Sequence, residues 1–149
     1  MLFIGTNTTI TFHLTKTIFS MKTTRAIVID DDQDTLEIFC EFLKLKDIEV
    51  VGMAKNGLKG LTAYKENKPD IVLMDVMMPD YDGFFGLKKI KEFDPNSKVI
   101  MVTADLTEET AQKLNDLGAN DILYKPYEID QVIRTINKLL ASKEAPLIA

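Results

Sequence analysis

Five polar side chains stand where this 149-residue sequence should be apolar: Asp30 and Asp31 in "VIDDD", Asp75 in "LMDVMMPDYDG", Thr103 in "MVTA" and Lys125 in "YKP". Each closes or follows a short β-branched or apolar run, so a fold that aligns those runs gathers three carboxylates, a hydroxyl and an ammonium. Clustered carboxylates repel one another and call for a counter-charge. Mg²⁺ suits them, because it takes oxygen ligands, retains several waters and leaves positions for phosphate oxygens. Beside such a cation Asp75 can attack phosphorus and form an acyl phosphate. Thr103 and Lys125 would then contact the phosphoryl oxygens, in a reaction whose catalysis is mostly positioning and electrostatics.

Five strand candidates position these groups: 26–30, 48–53, 71–75, 98–103 and 121–124. Their near-continuous apolar character suits strands covered on both faces. Helical spacing separates them. Leu36, Phe39, Cys40 and Leu43 recur at i, i+3, i+4 and i+7, as do Ile129, Val132, Ile133, Ile136 and Leu140 near the C-terminus. Thr107 can cap a helix carrying Ala111 and Leu114, with Glu108 and Glu109 in its first turn and Gly118 as its stop. Two weaker helices, 57–66 and 84–93, contain Gly60 and Gly86, each costing about 1 kcal/mol relative to alanine. Five βα units imply a doubly wound α/β sandwich with right-handed crossovers. In such sheets sites gather outside the carboxyl ends of the strands, where all five polar residues fall.

The length suits one domain, and 46% apolar with 28% charged residues is an ordinary globular balance. A net charge of −5 argues against direct nucleic-acid binding or a grip on anionic membrane. Cys40 stands alone, so there is no disulfide framework, a reducing cytoplasmic setting is expected, and the residue reads as a small core side chain. Residues 1–22 read as an extension, 23–141 as the domain and 142–149 as a tail without a further repeat. The first twenty residues lack the basic start and unbroken apolar stretch of a signal peptide. Either translation begins at Met21 or they form a loose extension, and His13 within them is a bystander.

The four motifs together resemble the response-regulator receiver family, the phospho-accepting half of two-component signalling, over roughly residues 23–141. The resemblance implies a (βα)5 flavodoxin-like fold with parallel strand order 2-1-3-4-5. It implies an acidic pair at Asp30 and Asp31, a phospho-acceptor at Asp75, a switch hydroxyl at Thr103 and a conjugate lysine at Lys125. Mg²⁺ would be bound by that pair, Asp75 and the carbonyl of Met77. The donor would be a histidine kinase or histidine phosphotransfer protein. A downstream protein would dock on the face of the fourth helix, fifth strand and fifth helix, on a monomer or transient homodimer. Two positions depart from the family. Ile122 stands where an aromatic commonly swings inward, with Tyr124 two residues on, and Asp80 takes a turn position usually held by glycine. Asp tolerates such turns. Met77 and Asp105, two residues after the acceptor and the switch hydroxyl, occupy positions that in this family influence hydrolysis of the acyl phosphate.

Other classes fit less well. "DDDQDTLEIFCE" has the alternating acids of a calcium loop, yet Thr35 replaces the required glycine and the preceding residues read as a strand. A haloacid-dehalogenase phosphatase would use an aspartate, Mg²⁺, a hydroxyl and a lysine too. Its DxD nucleophile follows the first strand, however, and the chain has no room for the usual cap. Of the methionine cluster, Met74 reads as core and Met77 and Met78 as loop or rim, while "LKKIKEF" reads as a solvated helix face.

Overall fold

The structure, a computed structural model, describes residues 22–141. The expectations for residues 1–21 and 142–149 lie outside the described residues. Strands and helices alternate strictly: β1 Thr24–Ile29, α1 Gln33–Leu45, β2 Ile48–Ala54, α2 Gly57–Asn67, β3 Ile71–Asp75, α3 Gly83–Phe93, β4 Val99–Thr103, α4 Glu108–Asp116, β5 Asp121–Tyr124 and α5 Ile129–Ala141. The sheet is parallel, in the order β2-β1-β3-β4-β5. This is the expected doubly wound sandwich.

Every residue of β3 and β4 is buried, which is what an apolar run in the middle of a covered sheet requires. The core divides in two. On one face Leu36, Phe39 and Leu43 of α1 and Val132 and Ile136 of α5 pack on Val28, Leu73 and Ile100. On the other, Ala63 and Tyr64 of α2, Leu87 and Ile90 of α3 and Leu114 of α4 pack on Ile27, Met74 and Met101. Fully burying one such Leu or Ile side chain contributes about 1.5–3 kcal/mol. Cys40 is only half-buried at the margin of the first layer, correcting the core reading.

Short polar residues start the helices. Asp32, Asn56, Asp82 and Thr107 each accept a hydrogen bond from the backbone N–H three residues on. Helices α2 and α3 form despite interior Gly60 and Gly86 because those glycines let neighbouring groups pack directly on the helix backbone. A Cβ on Gly60 would lie 2.5 Å from Ile29 Cδ1, and one on Gly86 would lie 2.6 Å from Met74 Sδ. The propensity loss is exchanged for close packing. Lys91, in the stretch read as a solvated face, is instead half-buried and donates to the Ser97 carbonyl and, at 2.8 Å, to Asn120 Oδ1. Met78, read as rim, is buried in the core.

Candidate functional site at the carboxyl edge of the sheet

Sheet order places β1, β3 and β4 side by side, so their ends converge. Asp75 is the last residue of β3 and only 7% exposed. Asp30 follows β1 directly and is equally buried, while Asp31 is exposed. Lys125, after β5, reaches across: its Nζ lies 3.4 Å from Asp75 Oδ1 and 3.8 Å from Asp30 Oδ2. Thr103 closes β4, is buried, and its Oγ1 accepts the Asp105 N–H at 3.0 Å. The Thr103 carbonyl accepts the Lys125 N–H at 2.8 Å, tying the two ends together. The Lys125–Pro126 bond is cis.

The β3–α3 loop is held close under Asp75. Gly83 N–H donates to the Val76 carbonyl at 2.8 Å, and a Cβ on Gly83 would sit 2.2 Å from the Asp75 carbonyl. Only glycine permits that approach. Asp80 has φ +68°, so the turn forms with aspartate in the left-handed region, as its side-chain chemistry allows. The loop leaves the Met77 side chain 70% exposed at the rim.

Burial is the main cause that lifts both Asp75 and Asp30 above the ordinary carboxylate range. The Lys125 ammonium pulls both back down, and Asp30 raises Asp75 further. One carboxylate oxygen each from Asp30, Asp31 and Asp75 lies within 4.8 Å of the others. Three hard oxygen donors, two of them buried and destabilised as anions, fit a small divalent cation such as Mg²⁺.

A doubly wound sheet with an acidic pocket at its carboxyl edge narrows the family, and comparison decides it. A family model described as response regulator receiver domain matches residues 26–137. The chain belongs to the response regulator receiver family. Among similar proteins is chemotaxis protein CheY of Bacillus subtilis (strain 168), 35% identical over 116 residues, covering 78% of this chain and 97% of that one. Chemotaxis protein CheY of Thermotoga maritima is 33% identical over 115 residues, covering 77% and 96%. A solved CheY-like receiver from Methanospirillum hungatei JF-1 superposes with TM-score 0.77 at 26% identity, covering 83% of this chain and 98% of that one. The Borrelia burgdorferi CheX–CheY complex with BeF3 and Mg²⁺ gives 0.74 at 26%, covering 78% and 88%.

In this receiver the structure gathers Asp30, Asp31, Asp75 and Lys125, with Thr103 at the adjoining end of β4. It also assigns the competing acids elsewhere. Asp32 caps α1, accepting from Thr35 N–H and hydroxyl, which hold its carboxyl below the usual range. The calcium-loop and first-strand DxD readings thus share an aspartate already engaged as a helix cap, and with the receiver family matched nothing supports the dehalogenase alternative. One neighbour was missed, Tyr127, and Asp105, noted only for its place after Thr103, gains a structural link. Tyr127 lies half-buried edge-on to Phe39 at 5.7 Å, with its phenol pushed up to about 12 by burial and by the Asp30 and Asp75 charges. Asp105 accepts from Thr107 N–H at 2.9 Å and from the Thr110 hydroxyl at 2.6 Å, linking the Thr103 contact to the first turn of α4. Only the Thr-x-x-Thr spacing of the cap hinted at that link.

Proposed function

We propose that this receiver accepts a phosphoryl group on Asp75 from a phosphohistidine of a kinase or phosphotransfer protein and thereby switches a protein-binding face. The observation that carries the reading is a carboxylate 7% exposed at the end of β3, 3.4 Å from a lysine ammonium. Asp75 attacks phosphorus; its O–P bond forms as the N–P bond breaks, and the leaving imidazole takes up a proton. Lys125 favours the ionised nucleophile and then pairs with the phosphoryl oxygens. Mg²⁺, held by Asp30, Asp31, Asp75 and the Met77 carbonyl, would offset the negative charge gathered there.

Thr103 reads the result. Its hydroxyl turns to donate to a phosphoryl oxygen, which exchanges the contact from Asp105 N–H. Because Asp105 also holds Thr107 and Thr110, the exchange reaches α4. The output face is then α4–β5–α5, where Leu106 is 75% exposed beside the start of α4 and Tyr124 is 37% exposed on β5. Ile122 packs against the core, so the switch runs through Thr103 without an inward-swinging aromatic there. The protein acts as a switch more than a turnover enzyme, with residues 23–141 as the working unit, in the cytoplasm, as monomer or transient homodimer. No helix among the described residues is long and apolar enough to cross a membrane. A CheY relative crystallised with CheX supports a protein partner.

Phosphoramidate, whose N–P bond mimics phosphohistidine, tests the reaction. Wild type should gain one phosphoryl mass in Mg²⁺ and none in EDTA, and Asp75→Asn none in either. An equal adduct on Asp75→Asn would refute the assignment.

A further inference from the structure

Helix α4 is thinly anchored. Leu114 is its one buried residue, with Thr110 and Ala111 half-buried and the rest exposed. Its first turn is tied to the site by the Asp105 contacts. A second tie lies one turn further on, where Lys113 places its Nζ 3.9 Å from the centroid of the Phe84 ring on α3. Residues three apart share a flank of a helix, so Thr110 and Lys113 restrain the same side of α4. The other two cation–ring contacts, Lys65 on Phe93 and Lys89 on Phe85, are longer, at 5.1 and 5.9 Å, and neither involves α4. Among the described residues Lys113 makes no ion pair, although Glu109 stands four residues back on the same helix. Its ammonium takes the negative face of the ring instead.

Phe84 is a fixed post for that contact. It follows Gly83, which bonds the Val76 carbonyl and makes the close approach to the Asp75 carbonyl. It precedes Phe85, whose N–H donates to the Asp82 cap at 2.9 Å. Its ring packs against the core layer that holds Leu87 and Met101. The loop beneath the acceptor and the middle of α4 therefore meet at one cation and one ring.

We propose that Lys113 is a positioning residue of the switch: seated on Phe84, its ammonium holds α4 in its resting place against α3, and the contact must yield when α4 moves. The inference rests on the phosphorylation reading for its trigger. When Thr103 turns to the phosphoryl group the Asp105 tie slackens, and the ring contact, with buried Leu114, is what still restrains the helix. The strength of that contact then sets how readily the receiver switches. An exposed cation on a ring biases such an equilibrium about two- to fivefold.

Two full-chain variants test it: Lys113→Met keeps the stem and loses the charge, and Lys113→Arg keeps a cation. Met and Arg have helix propensities close to that of Lys, so α4 itself is not weakened. In EDTA, α4 amides should exchange about two- to fivefold faster in Lys113→Met than in wild type, and no faster than wild type in Lys113→Arg, with the sheet alike in all three. Beryllofluoride with Mg²⁺, a mimic of the acyl phosphate, should bind Lys113→Met about two- to fivefold more tightly than wild type, because the binding-competent state is then more populated. Lys113→Arg should bind it as wild type does. Equal exchange in Lys113→Met and wild type would overturn the proposal, as would a Lys113→Arg protein that behaves like Lys113→Met. Unchanged beryllofluoride affinity in a loosened Lys113→Met would overturn the role in switching. A wild type that binds no beryllofluoride would instead refute the phosphorylation reading, while faster exchange in Lys113→Met would still establish the hold of Lys113 on α4.

Discussion

Neutralising Asp75 should stabilise the metal-free fold. Asp75 faces two carboxylates, with oxygens no more than 4.8 Å apart. At an effective dielectric of ~20 each pair costs at least about 3.5 kcal/mol, or about 7 together. The Lys125 ammonium at 3.4 Å returns about 5 kcal/mol on the same scale. The balance of about 2 kcal/mol is unfavourable, and burial of Asp75 adds to it. Solvent at exposed Asp31 and at Lys125, one-third exposed, screens both signs. Asp75→Asn should therefore gain about 1–2 kcal/mol in EDTA at pH 7. In urea, with m near 1.5 kcal/mol/M, the midpoint should rise by about 1 M at constant m. Mg²⁺ at a hundredfold its dissociation constant should stabilise wild type by about 2.7 kcal/mol, and the variant by less. A variant less stable than wild type in EDTA, or equally stabilised by Mg²⁺, would refute the electrostatic reasoning.

Stability of the metal-free wild type should fall as pH rises. Both Asp30 and Asp75 are raised above 3.8 in the folded state, so the folded state binds more protons from about pH 4 up to their folded values. Urea midpoints in EDTA should decline across that window, and the gap to Asp75→Asn should close at its acid end. Gly83→Ala places a Cβ 2.2 Å from the Asp75 carbonyl; it should cost at least about 2 kcal/mol and slow phosphorylation by displacing the loop. Asp105→Ala removes the acceptor for Thr107 N–H and the Thr110 hydroxyl. First-turn amides of α4 should then exchange severalfold faster, roughly, with the sheet unchanged. Lys125→Ala should still carry phosphate but fail to bind the output partner, so unaltered partner binding by the phosphorylated variant would contradict its signalling role.

Most of the fold and the site could be read from local pattern, because apolar runs mark doubly covered strands and the strand ends are where polar residues emerge. The bounds of β3 and β5 match the sequence reading, and the stripes on α1 and α5 bury Leu36, Phe39, Leu43, Val132 and Ile136. What could not be read depends on contacts between distant residues. Lys91 looks like one of several surface lysines until Asn120, 29 residues away, accepts from it. Met78 resembles a loop residue until the chain buries it in the core layer that also holds Leu87 and Ile90. Tyr127 follows the Lys-Pro pair and gives no sign that it borders the carboxylates. The Asp105 link required the cap geometry of α4, which composition suggests only as a start signal.

Which carboxylate carries the phosphoryl group is the central claim, and borohydride reduction reads it directly. Borohydride converts an aspartyl phosphate to homoserine, so wild type treated with acetyl phosphate and Mg²⁺, reduced and sequenced by tandem mass spectrometry should show homoserine at position 75 alone. Homoserine at position 30 or 31, or none after a phosphoryl adduct has been weighed, would contradict the account.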